Sequence, residues 1–154
     1  MINLTDGFIV KIASYGNFTL AVLARNEHCP PHGHSWSTAW DARFKFSFWH
    51  DDLCLWDVVP ARKAPTARLL ESIRRELMRP ANLRKAREGW WSAANTVCLD
   101  HLMWQPGTQE VVAPSDARRG AQRIVSARFA GGSYSTILQL EGDLKVLEIE
   151  HGKD

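Results

Sequence analysis

Hydrophobic and polar residues alternate with a period of two at both ends of the chain and with a period near 3.6 in its middle. In residues 8–24, FIVKIASYGNFTLAVLA, two runs rich in β-branched and aromatic residues flank Ser14-Tyr15-Gly16-Asn17. A turn-forming tetrapeptide between two such runs predicts a hairpin. Alternation is cleanest over 40–50, WDARFKFSFWH, where Trp40, Ala42, Phe44, Phe46 and Phe48 fall on one face and Asp41, Arg43, Lys45 and Ser47 on the other. Such a strand buries one face and wets the other. DLCLWDVV then reads as a further strand, paired through a tight turn at Asp51-Asp52.

After Pro60 the period changes. Pro65 and Thr66 offer a helix start, Leu69, Leu70, Ile73 and Leu77 form a core stripe, and Arg68, Arg75 and Arg79 lie opposite it. Pro80 stops this helix and suits the first position of a second, ANLRKAREGWW, which buries Leu83, Ala86 and Trp90. Residues 107–120, GTQEVVAPSDARRG, have the weakest pattern and read as a loop or linker. Beyond them QRIVSARFAGGSYSTILQLEGDLKVLEIE alternates around Gly131-Gly132 and Gly142-Asp143, predicting a three-stranded meander. Strands, then helices, then strands, with no βαβ repeat, define an α+β chain. Its antiparallel sheets come from an N-terminal meander and the C-terminal meander, with the two central helices packed on them. Residues 1–106 are expected to form the N-terminal αβ region and 121–154 the meander of the same compact domain.

Composition adds bounds. The 154 residues suffice for one domain, and 45% hydrophobic with 23% charged residues is ordinary globular usage. Seven tryptophans are not ordinary and imply a rich core, an adhesive surface, or both. No apolar run reaches the roughly 20 residues of a membrane helix, and MINLTDGFIV has neither the basic region nor the apolar core of a signal peptide. Cys29, Cys54 and Cys98 are odd in number and form no CxxC pair, so a reducing cytoplasm is expected. The net charge of +2 conceals a polarity: Arg62 to Arg87 holds nine Lys or Arg against two Glu, and Glu141 to Asp154 five acids against two Lys.

The densest chemistry is NEHCPPHGHSW, residues 26–36. An extended chain points His32 and His34 the same way, so one zinc ion could bridge them, with Cys29 as a thiolate ligand and His50 and Cys54 outside them. Without metal, His28, His32 and His34 could act as acid and base in RNA cleavage, since imidazole titrates near pH 6.5. The third reading is a loop stiffened by Pro30 and Pro31, whose histidines satisfy hydrogen bonds. On the helices Arg68, Arg75, Arg79, Arg84 and Lys85 form a candidate phosphate-binding face, and Trp90, Trp91 and Trp104 could stack on bases, anchor a partner or fill the core. No Walker loop, GxGxxG, GxSxG or HExxH is present, so no nucleotide cofactor is expected.

GNFTLAVLARNEHCPPHGHSW, followed by a strand, VVPAR and a helix, resembles the small bacterial domain-of-unknown-function 4160 family. His28, Pro30, Pro31, His32 and His34 match its H-x-P-P-H-x-H run, and the resemblance spans residues 8–91. It implies a compact cytoplasmic accessory factor of toxin–antitoxin or mobile-element type. Three functions are therefore expected in competition. The leading one binds nucleic acid or a nucleoprotein complex through the basic helices. The others are a ribonuclease-like toxin using the histidines and a non-enzymatic inhibitor of a host defence complex, of the anti-CRISPR kind.

Overall fold

The computed structural model describes residues 9–23 and 28–152. Phe8 and Ala24 of the first hairpin run, Asn26 and Glu27 of the histidine stretch, and Lys153 and Asp154 of the acidic end lie outside the described residues. The chain divides into two units, one ending at Asn95 and one beginning at Thr96.

In the first unit β1 (Ile9–Tyr15) and β2 (Phe18–Leu23) form the expected hairpin. Gly16 sits at its tip with φ +56°, a left-handed conformation that glycine adopts without a Cβ penalty. The meander continues through β3 (His32–Trp36), β4 (Asp41–Lys45) and β5 (Cys54–Val59), giving a five-stranded antiparallel sheet in sequential order. Trp40, Ala42, Phe44, Phe46 and Phe48 are all buried, as the alternation predicts. The ladder nevertheless stops at Lys45, and residues 46–53 form a longer connection instead of a tight turn at Asp51-Asp52. The cause is Arg87, whose guanidinium donates to Ser47 O at 2.9 Å and His50 O at 2.8 Å, so these carbonyls have a side-chain partner.

A 3-10 turn (Ala61–Lys63) leads to α1 (Ala67–Met78), capped where Thr66 Oγ1 accepts the Leu69 N–H at 3.1 Å. Leu70, Ile73 and Leu77 are its buried stripe. Helix α2 (Pro80–Ala94) starts on its proline and ends at Asn95, which has φ 54°. It buries the predicted Leu83, Ala86 and Trp90. It packs tightly on the first hairpin at Gly89, where a Cβ would lie 2.8 Å from Val10 Cγ1.

The second unit is a five-stranded antiparallel sheet ordered β10-β9-β8-β6-β7. Strands β8 (Gln122–Ala130), β9 (Ser135–Leu140) and β10 (Leu147–Glu150) are the predicted meander. Strands β6 (Met103–Gln105) and β7 (Glu110–Val112) were not predicted, because three residues are too few for alternation to register. Residues 107–120 are therefore not a linker. They carry β7 and a 3-10 turn (Pro114–Asp116), and the buried Gln105 side chain fastens them by accepting the Arg118 N–H at 2.9 Å and donating to Arg119 O at 3.2 Å. Among the described residues no helix is long and apolar enough to cross a membrane.

Candidate functional site

Register decides where the histidine side chains point. His32 pairs with Lys45 and His34 with Arg43, and Trp36 pairs with Asp41, which in turn pairs with Val59. Directly opposed residues of antiparallel strands share a face. His32, His34 and Trp36 thus lie on one face of the sheet with Asp41, Arg43, Lys45, Asp57 and Val59.

The His32 Nδ1–H donates to Pro30 O at 2.8 Å, and the His34 Nδ1–H to both Asp41 oxygens at 3.0 and 3.2 Å. The two rings lie 5.3 Å apart, and His32 also packs on Trp56 and Trp90, each at 5.2 Å. With Nδ1 donating, Nε2 is the atom of each ring that could ligate a metal. Among the described residues, however, no group of three His, Cys, Asp or Glu comes together. Cys29, expected as a thiolate, is disulfide-bonded, as is Cys98, and only Cys54 is a free, exposed thiol. The expectation of reduced cysteines is therefore corrected for Cys29 and Cys98; spacing along a chain does not reveal which thiols are oxidised. The catalytic expectation also loses its geometry. His32 and His34 are 2% and 5% exposed while His28 is exposed, so the three do not present one set of imidazoles to a substrate.

The basic helices are largely neutralised. Glu71 accepts from Arg74 at 2.7 Å and from Arg75 at 3.1 Å, and these guanidiniums, Arg74 first, hold its carboxyl down to about 2. Arg79 pairs with Glu76 at 3.5 Å and Arg84 with Glu88 at 2.8 Å. Arg87 is fully buried and also donates to Asp51 Oδ1 at 2.9 Å, which makes it a fastener of the 46–53 connection. Arg62, Lys63, Arg68 and Lys85 are exposed and form no ion pair among the described residues. Of the expected phosphate-binding residues, Arg68 and Lys85 keep an unpartnered charge, whereas Arg75, Arg79 and Arg84 share theirs with carboxylates.

The tryptophans divide between the core and the partly exposed surface. Trp40, Trp90 and Trp104 are buried, and Trp36, Trp49, Trp56 and Trp91 are half-buried. Trp90 fills the core between His32 and Phe46, so it offers no stacking face. Trp56 carries Arg43 4.1 Å above its ring, with the Lys45 ammonium at 5.7 Å. Arg43 in turn forms a bidentate pair with Asp57 and holds that carboxyl below its usual range.

At the β3–β4 turn lies a cleft of about 190 Å³ lined by Trp36, Asp41, Val59, Pro60 and Lys63 and by the buried Trp40, which packs on Phe18 with ring centroids 5.4 Å apart. The turn is held by the Ser37 N–H donating to Trp40 O at 2.9 Å and the Ala39 N–H to Ser37 Oγ at 3.0 Å. Trp36, Asp41 and Lys63 were not singled out from the sequence as site residues. The available signal was the W-x-x-x-W-D spacing across a turn, which puts two indoles and a carboxylate at one hairpin end.

No protein-family model matches the chain, and comparison with curated proteins and with solved structures returns no match.

Proposed function

We propose that this chain is a non-catalytic nucleic-acid-binding protein whose contact surface centres on the 3-10 turn and the start of α1. The observation that carries this reading is the group Arg62, Lys63 and Arg68: three exposed cations within seven residues that no carboxylate neutralises among the described residues. The first turn of α1 holds no acid, so the positive end of the helix dipole adds to the same potential. Lys63 also borders the cleft lined by the half-buried Trp36, which sets a cation near one partly exposed indole, the pairing that single-strand binding uses. The reading keeps the polyanionic partner expected from the charge run and moves the contact from the length of the helices to their approach. Toxin–antitoxin or mobile-element membership remains the proposal carried by the histidine run's resemblance to the domain-of-unknown-function 4160 family.

Fluorescence anisotropy with short labelled single-stranded and duplex oligonucleotides across a salt series tests this. Each phosphate contact on a single strand contributes about 0.7 to the slope of log K against log salt. Reversing Arg62, Lys63 and Arg68 to Glu should remove about 2 from that slope and most of the binding. Reversing Arg75, Arg79 and Arg84 should do less, since each already faces a carboxylate. Equal effects of the two triple variants, or no binding by the wild type, refute the reading.

A further inference from the structure

We infer that the outer edge of β10 docks an extended segment of a partner protein, one with lysine or arginine at alternate positions, which adds to the sheet as a further strand. The edge lies within the second unit and uses none of the residues of the proposed nucleic-acid surface.

Register shows which way the main chain points. Leu147 to Glu150 pair with Leu138 to Ser135 of β9, and the His151 N–H continues the ladder by donating to Tyr134 O at 2.9 Å. In an antiparallel ladder, residues that bond across alternate with residues whose N–H and C=O point away. His151, Ile149 and Leu147 bond toward β9, so Glu148 and Glu150 turn their main-chain groups to the outer side. Strand β10 is last in the sheet order, with no strand beyond it among the described residues, and Glu148 is exposed, so the edge is open to solvent at that rung. An open edge of this kind is a template for pairing with another chain.

The side chains select the occupant. Leu147 and Ile149 pair with Leu138 and Thr136, which are fully buried, so they lie on the core face of the sheet. Both are nonetheless only half-buried, because that face ends at β10 without a neighbour on its outer side. The approach to the strand adds the exposed Leu144 and Val146. An incoming strand with apolar residues beside Leu147 and Ile149 completes this face. The other face of β10 carries Glu148 and Glu150, and Asp143 and Glu148 are exposed and enter no ion pair among the described residues. Lys145 is the one cation between Asp143 and Glu150. Opposite charges directly across a strand pair stabilise it, and like charges oppose it. A second copy pairing through β10 sets carboxylate against carboxylate, and a nucleic acid meets the same repulsion. A strand that alternates cations with apolar residues satisfies both faces.

The probe is a short fluorescein-labelled peptide of alternating lysine and valine, read by anisotropy against the whole chain. Binding should be saturable and weaken with salt, and a glutamate–valine peptide should bind about tenfold more weakly or less well still. Glu148→Lys should lower the affinity for the lysine peptide about tenfold and raise that for the glutamate peptide; the residue is exposed at an edge, and circular dichroism checks that the variant folds. Amide hydrogen exchange separates strand addition from charge attraction. The outward Glu148 N–H should gain protection in the complex, whereas the Ile149 N–H, already bonded to β9, should change little. A lysine–valine peptide N-methylated along its pairing edge keeps the charge and should lose that protection. No saturable binding of the lysine peptide, equal binding of the glutamate peptide, an affinity unmoved by Glu148→Lys, or binding without new protection at Glu148 overturns the inference.

Discussion

Arg87 lies in the most basic part of the chain, and its replacement separates a structural arginine from a binding one. Its side chain is fully buried and donates to Ser47 O, His50 O and Asp51 Oδ1. Arg87→Met keeps the apolar stem and removes the guanidinium. The side chain of Asp51 is 71% exposed and regains water, so its loss contributes little. The two carbonyls, on half-buried residues, lose their donor within the fold; a fully buried orphan costs about 1–3 kcal/mol, so two partly buried ones place the variant near 3 kcal/mol, in the lower half of the two-group range. Arg84→Met is the control. Its guanidinium bonds an exposed Glu88 one turn on, a pair of a kind that contributes roughly 0.3–0.5 kcal/mol. Urea unfolding followed by tryptophan fluorescence reports on the right unit, because six of the seven tryptophans precede Thr96. At about 1–3 kcal/mol per molar of urea, Arg87→Met should lower the midpoint by roughly 1–3 M and Arg84→Met by a small fraction of that. Equal midpoints for the two variants would refute the clamp and return Arg87 to the ranks of surface cations.

Gly89→Ala ordinarily favours a helix by about 1 kcal/mol, but here the new methyl meets Val10 Cγ1 at 2.8 Å, so a net loss of about 1–2 kcal/mol is expected. Val10→Ala in the same chain should cancel part of that loss, and purely additive melting shifts in the double mutant would show that the two residues do not meet. Glu71 has its carboxyl lowered from 4.5 to about 2, so its contribution to stability is complete above the unfolded value and is lost as pH falls through that window. Melting curves across the window should decline in the wild type, and Glu71→Gln should flatten the decline; an unchanged profile removes the Arg74–Glu71–Arg75 linkage. Burial lowers His50 below 6.5, and its Nδ1 accepts the Asp52 N–H at 3.1 Å, a bond the neutral ring makes. The stability it lends is present above that pH and declines as pH falls through the folded value. An NMR titration placing His50 at or above 6.5 contradicts this.

Where a periodic pattern had enough residues to repeat, the fold was legible. Helix α1, the proline-started α2, the first hairpin and the three-stranded meander follow from spacing because each buries a continuous stripe or face. Two kinds of feature were not legible. The short β6 and β7 carry no repeat; β6 is placed by pairing with β8, β7 by pairing with β6, and the stretch after β7 is held by the Gln105 side chain, with the β6–β8 and Gln105 contacts joining residues distant in sequence. The charge of the helices misled for a related reason. A count of nine cations against two acids treats charges as independent, yet at helical spacing Glu71 takes two arginines and Glu88, one residue past Arg87, takes Arg84. Helical neighbours at i+3 and i+4 had to be paired before the excess was summed.

That correction also changes the role of the histidine run. Of its three candidate chemistries, the stiff loop accounts for the two Nδ1 atoms, with Pro30 O holding His32 and Asp41 holding His34, but not for the two buried Nε2 atoms. The consequence reaches past packing. His34, two residues from Trp36 along β3, donates diagonally to Asp41, the residue paired with Trp36, so a buried imidazole fixes the carboxylate that borders the cleft at the β3–β4 turn. His34→Gln keeps a donor near Asp41 where His34→Leu does not. His34→Leu should therefore lower the melting temperature more than His34→Gln, and equal melting of the two variants would show that the imidazole does not hold Asp41.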